Sequence, residues 1–221
     1  MKTLAVLSCK GGTGKTTLAL HLAVAAQNDG RSVLVADLDR QRSALDWRRE
    51  REAPAPRVED AKSGAIFTMQ QGARRLGSDL MIIDTASSRE DEAADAARCA
   101  DLCLVVVRPH FLDLKAVAST ARMVRNMNRS GVFVINQAPP RWTARDTPTT
   151  APVMNALRSF GLPVAPGSVR MRDAYHLCLG QGRTVQETEP GGAAACEIDG
   201  LWRHVEALLW PEMAAPLLKT A

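Results

Sequence analysis

Two lysines separated by a run of glycines are the most chemically loaded feature of this sequence. The stretch C-K-G-G-T-G-K-T-T, residues 9–17, follows a short apolar run and leads into LALHLAVAA, which has helical length and apolar spacing. A phosphate chain needs backbone N–H groups at close range and the positive end of a helix dipole behind them. Gly11, Gly12 and Gly14 permit that approach, with Thr13 between them. Lys15 is placed to reach the β and γ phosphates, the Thr16 hydroxyl to ligate magnesium, and Thr17 to serve the α phosphate. Cys9 stands where such loops usually begin with glycine, and Lys10 adds a second cation beside the same phosphates.

Carboxylates follow at the ends of two further apolar runs. Asp39 can orient a water for in-line attack on a terminal phosphate and hold the magnesium shell, with Asp37 supporting it. A helix cap is the plain alternative for this Asp-Leu-Asp. Asp84 closes the run LMIID and is placed to act through magnesium-bound water. Asn136 ends another such run, where its amide can give and accept hydrogen bonds and so read an adenine edge. A strand-ending turn asparagine accounts for it equally simply.

Positioning these groups requires a scaffold, and the apolar pattern supplies one. Strand-length runs fall at Leu4–Ser8, Ser32–Ala36, Leu80–Asp84, Leu102–Val107, Val132–Asn136 and Pro163–Pro166. Most are continuously apolar, as expected of strands covered on both faces. Helical spacing appears at Thr16–Gln27, Ala65–Leu76, Leu112–Met127, Ala151–Phe160 and Ala193–Leu209. The expectation is an α/β fold over residues 1–221: one doubly wound, mostly parallel sheet with helices on both faces. Residues 137–149, carrying three prolines, read as a surface loop.

Composition narrows the classes. Only four Trp, one Tyr and four Phe occur in 221 residues, which argues against an aromatic platform for stacking bases. No run approaches the ~18 apolar residues that a membrane span needs, so a cytoplasmic protein without a stable membrane anchor is expected. The five cysteines, Cys9, Cys99, Cys103, Cys178 and Cys196, form no C-x-x-C pair, and His21, His110, His176 and His204 have no ligand spacing. Cys99 and Cys103 read as the end of a helix running into a strand.

The sequence K-G-G-T-G-K-T resembles the deviant Walker motif of the ParA/MinD family of ATPases, the short ParA-type partition ATPases most of all. D-L-D-R-Q at 37–41 resembles that family's switch I, with Arg40 in place of proline, and I-I-D-T-A-S-S at 82–88 resembles its Walker B and switch II, with Ala86 in place of proline. Residues 168–187 and 191–205 resemble its base-side loop and last helix. The resemblance implies ATP and Mg2+ as cofactors and an ATP-dependent homodimer in which Lys10 crosses to the partner's phosphates. Lys10, Lys15 and Asp39 then catalyse hydrolysis, Thr16, Asp39 and Asp84 hold the metal, and Asn136 meets the base. It further implies nonspecific DNA binding, nucleoid association in the ATP state, a centromere-binding adaptor protein and plasmid or chromosomal cargo. A MinD-like membrane-associated switch and a metabolic or assembly enzyme on the same fold are the alternatives; the tail WPEMAAPLLKTA holds one lysine and two prolines, and no C-x-x-C is present.

Charge supplies a second pointer. Between residues 122 and 183, Arg122, Arg125, Arg129, Arg141, Arg145, Arg158, Arg170, Arg172 and Arg183 face only Asp146 and Asp173. Arginines bind backbone phosphates regardless of base sequence. Arg170, Arg172, Arg183 and Arg203 are the expected DNA contacts, a solvated arginine surface being the plain alternative. Trp47 with Arg48, Arg49 and Arg51 reads as a half-buried ring beside a solvated charge run.

Overall fold

A strand buried on both faces must send alternate side chains into two different cores, and the first strand does so. In the computed structural model, which describes residues 1–8, 10–87, 89–110, 114–140 and 150–214, strand β1 spans Lys2–Leu7. Its Leu4 and Val6 join one apolar cluster, and Ala5 and Leu7 join the other. Along the chain follow α1 (Lys15–Asn28), β2 (Val33–Asp37), α2 (Ser43–Glu50), β3 (Arg57–Asp60), α3 (Ile66–Arg75), β4 (Leu80–Asp84), α4 (Glu90–Cys99) and β5 (Leu102–Val107). Then come α5 (Leu114–Asn126), β6 (Ser130–Ala138), α6 (Thr150–Arg158), β7 (Val164–Arg170), α7 (Asp173–Leu179), α8 (Val185–Thr188), α9 (Ala193–Leu209) and α10 (Pro211–Ala214).

The strands form one seven-stranded sheet in the order β3-β2-β4-β1-β5-β6-β7. All neighbouring pairs are parallel. Residues of α1, α2, α7, α8 and α9 cover one face, and those of α3, α4, α5 and α6 the other. Each fully buried leucine or isoleucine in these layers contributes about 1.5–3 kcal/mol. The doubly wound parallel sheet expected from the sequence is therefore present.

Differences are local. The strand β3 was not expected: R-V-E-D is polar, lies on the sheet edge and is largely exposed, so it carries no apolar signal. Helices α2 and α4 were not expected either: S-A-L-D-W-R-R-E and E-D-E-A-A-D-A-A-R-C are short and rich in charge, with few large apolar residues. The expected helix at 193–209 coincides with α9, and Cys99 ends α4 just before Cys103 in β5. Cys9, Ser88, Arg141, Arg145 and Asp146 lie outside the described residues, as do the expected helix start at Leu112, most of the proline-rich loop and residues 215–221. Among the described residues, no helix is long and apolar enough to cross a membrane.

Register places the chemistry. Asp37 at the end of β2 lies opposite Asp84 at the end of β4, and Asp84 lies opposite Val6, just before the glycine loop. β1 sits between β4 and β5, the point where the strand order reverses, and a crevice at the carboxyl ends of such strands is where α/β sheets take ligands.

Candidate functional site

The turn from β1 into α1 is built on backbone geometry that few residues tolerate. Gly14, the residue before α1, is left-handed at φ 84°, and a Cβ there would lie 2.4 Å from Asn136 Nδ2. Only glycine fits at that position. The Asn136 amide, on β6, donates to the Thr13 carbonyl at 2.6 Å, and Gln137 Nε2 donates to the Gly12 carbonyl at 2.9 Å. The residue expected to read a base thus braces the loop from the side. No side chain caps the first turn of α1 and no acidic residue lies in it, so its N–H groups keep their anion-binding capacity. Lys15 is 6% exposed, at the base of a cleft of about 790 Å³ that also takes in Gly11, Gly12, Thr16, Thr17 and Asp39.

Two buried carboxylates beneath the cleft have opposite surroundings. Asp37 Oδ1 accepts the Asp39 N–H at 3.0 Å, and Oδ2 accepts the N–H groups of Ala44 and Leu45, both at 3.2 Å. It therefore starts α2, and burial raises its pKa against those hydrogen bonds. Asp84 is fully buried, and among the described residues no backbone N–H reaches either oxygen. Burial lifts its carboxyl to about 7, opposed by the Thr16 hydroxyl and Lys15 and reinforced by Asp37 and Asp39. Asp39 is half-buried on the cleft wall, its Oδ1 accepting the Gln41 N–H at 3.0 Å. A buried carboxylate beside a hydroxyl and a second carboxylate is a donor set suited to a hard cation. No cluster of three or more acidic, histidine or cysteine ligands occurs among the described residues. A magnesium ion held here would accordingly take most of its ligands from water and from the phosphates it accompanies.

A family model described as the CobQ/CobB/MinD/ParA nucleotide binding domain matches residues 4–185. The chain belongs to this family. Among curated proteins it is 28% identical over 218 residues to "Maintenance of carboxysome distribution protein A" of Halothiobacillus neapolitanus, covering 92% of this chain and 95% of that protein. It is also 28% identical over 184 residues to "Protein virC1" of Rhizobium radiobacter, covering 79% of each. Its fold matches the septum site-determining protein MinD of Pyrococcus horikoshii, solved with Mg-ADP, at a TM-score of 0.74 and 18% identity over 94% of this chain and 96% of that one.

In this ParA/MinD-type domain the arginine run does not form one stripe. Arg122, Arg125, Arg129 and Arg158 belong to the α5–α6 side of the sheet, whereas Arg172 and Arg183 flank α7 on the opposite side. The two helix layers alternate along the chain, so charges close in sequence separate in space. Arg170 requires a correction as a DNA contact: it is 5% exposed, and its guanidinium donates to the Pro139 carbonyl at 2.6 Å. Arg172 is bonded to Glu197 through Nε at 3.2 Å and Nη2 at 2.7 Å. Arg183 and Arg203 are exposed. His21 is fully buried on α1, donating from Nδ1 to the Thr17 carbonyl at 2.7 Å, and burial lowers its pKa to about 4, so it packs as a neutral ring.

Sequence reasoning missed the partners of Arg51. Trp47 is 4% exposed and Arg51 is buried, so the supposed charge run is solvated only at Arg49 and in part at Arg48. The acceptors of Arg51 beyond its own loop lie 131 and 136 residues away, and no local pattern announces them.

Proposed function

We propose that this chain is an ATP-driven positioning switch. Magnesium-ATP occupies the cleft and closes a homodimer through Lys10, the dimer holds DNA without sequence preference, and hydrolysis releases it. The observation that supports this reading most directly is Asp84, a fully buried carboxylate beside a glycine loop, whose burial the Thr16 hydroxyl and Lys15 oppose. Bound magnesium would supply charge neutralisation on the phosphates, held by Thr16 with Asp39 and Asp84. Lys15 binds the terminal phosphates, Asp39 orients the attacking water, and Lys10 from the second subunit neutralises charge on the transferring group. The Ser8 hydroxyl accepts the Lys10 N–H at 3.3 Å, and Thr13 Oγ1 donates to the Lys10 carbonyl at 3.4 Å. Its backbone is thereby part of the loop.

The DNA face is drawn from Arg183 and Arg203, with Arg172 available on release from Glu197. The cargo is a large assembly brought to the DNA by an adaptor protein. Plasmid partition is the cargo that the sequence suggests, and the relative named for carboxysome distribution supports carboxysomes as a second candidate.

Lys10→Ala decides the dimer step. The variant should lose ATP-induced dimers in light scattering and lose adaptor-stimulated hydrolysis while still binding nucleotide as a monomer. Stimulated hydrolysis that survives in it contradicts the proposal. Binding of the wild-type ATP form to unrelated duplexes should weaken steeply as salt rises.

A further inference from the structure

Helix α2 is fastened at both ends to groups of different consequence. Its first turn hangs on the Asp37 carboxylate, two residues from Asp39, and begins after Arg42, which is held left-handed at φ 56°. Its last turn is locked to the corner between α7 and α8. Arg51 donates to Glu187 Oε2 at 3.0 Å and Oε1 at 2.8 Å, to the Gly182 carbonyl at 2.9 Å and to the Ala55 carbonyl at 2.7 Å. Its guanidinium also lies 4.8 Å from the Trp47 ring centre, and the Trp47 N–H donates to the Arg183 carbonyl at 3.2 Å. Gly182, at φ 65°, abuts the Glu50–Arg51 backbone so closely that a Cβ would lie 2.4 Å from it.

Between these fastenings α2 has eight residues, a rod about 12 Å long. The rod and the corner both line the cleft. Trp47, Arg49 and Glu50 line it from α2, and Leu179 and Gly180 line it from the end of α7. A ligand that draws Asp37 and Asp39 towards a cation therefore pulls on a helix whose other end cannot shift without moving the corner or breaking a buried ion pair.

We propose that α2 is a strut that transmits the nucleotide state of the Asp37–Asp39 segment to the α7–α8 corner, with Arg51 as its positioning residue. The corner carries exposed Arg183, so the coupling joins the Asp37–Asp39 segment to a cationic side chain at the other end of the strut. This inference rests on the reading of the cleft as an ATP site. The planar fork of Arg51 serves several acceptors at once, and lysine cannot replace it.

Hydrogen exchange of the full chain, with and without magnesium and a non-hydrolysable ATP analogue, tests the strut. Fluorescent-nucleotide titration run in parallel reports occupancy. In the wild type, nucleotide should alter exchange both at 37–51 and at 173–189. Arg51→Met should keep the response near Asp39 and lose about fivefold or more of the response at 173–189, with Arg51→Lys intermediate. Trp47→Phe, which keeps the packing but deletes the N–H to Arg183, should weaken the response at 173–189 at matched nucleotide occupancy, and it decides the matter if Arg51→Met does not fold. An undiminished response at 173–189 in a folded variant overturns the strut, as does a silent corner in nucleotide-loaded wild type. Failure of the wild type to bind nucleotide overturns the proposed function, and the strut with it.

Discussion

The tips of β2 and β4 and the corner where α2 meets α8 are both buried and both charged, but they are finished differently. At the corner each of the three guanidinium nitrogens of Arg51 meets an acceptor, and the acceptor Glu187 also receives the Thr184 N–H at 2.9 Å. At the carboxyl-terminal edge of the sheet the buried Asp84 has the Thr16 hydroxyl and Lys15 to set against its burial, beside the left-handed Gly14 and the uncapped first turn of α1. A buried charge without a partner is costly, so a fold retains it where a bound ligand compensates. The Arg51–Glu187 contact is complete within the protein, whereas the Asp84 carboxylate is one whose burial a bound cation would compensate.

That contrast is open to direct attack. The largest effect belongs to the edge: Asp39→Ala should cut hydrolysis about 10²–10⁴-fold while nucleotide still binds, as steady-state rates and fluorescent-nucleotide titration will show. Unaltered turnover would remove Asp39 from the chemistry. Next comes the corner, where Arg51→Met strands Glu187, whose side chain is 24% exposed. Partial solvent access reduces the loss to about 2–3 kcal/mol, a fall of roughly 4–12 °C in thermal midpoint.

Asp84→Asn should act in the opposite sense on the nucleotide-free protein. With its pKa raised from 3.8 to about 7, Asp84 keeps a proton in the fold that the unfolded chain gives up. Its contribution to stability therefore falls as pH rises from 3.8 and is fully unfavourable above about 7. Removing the charge should raise the midpoint by about 3–8 °C near pH 8 and leave it unchanged at about pH 4. His21 slopes the other way: its lowered pKa costs stability as pH falls from 6.5 towards about 4. Wild type should show partial cancellation between those limits, and the Asp84 variant a steeper loss of stability as pH falls through them. A midpoint that drops near pH 8 would mean that the Thr16 hydroxyl and Lys15 outweigh the burial of Asp84. The smallest change is expected for Arg49→Ala, whose pair with Asp46 at 2.8 Å is exposed on both sides and contributes about 0.5 kcal/mol or less.

Much of the edge was legible in the sequence because its signals are local. Glycines within one loop, a lysine at the start of a helix and aspartates at the ends of apolar strands all report through near neighbours. The corner was illegible for the converse reason, since Arg51 and Glu187 are 136 residues apart and each alone reads as surface charge. Asn136 falls between these cases. Its place at a strand end was readable, but its hold on the Thr13 carbonyl depends on β6 lying beside the loop, a matter of sheet order. The arginine run misled because counting charges along a chain ignores which layer each helix joins.

The helix behind the loop is lined with buried alanines: Ala19, Ala23, Ala25 and Ala26. Such small side chains let its axis sit close to the strands, and any enlargement would lift the whole rod and tilt the glycine turn at its head. Affinity for an anion at that turn is thereby adjustable from several residues away, through substitutions that never touch the ligand.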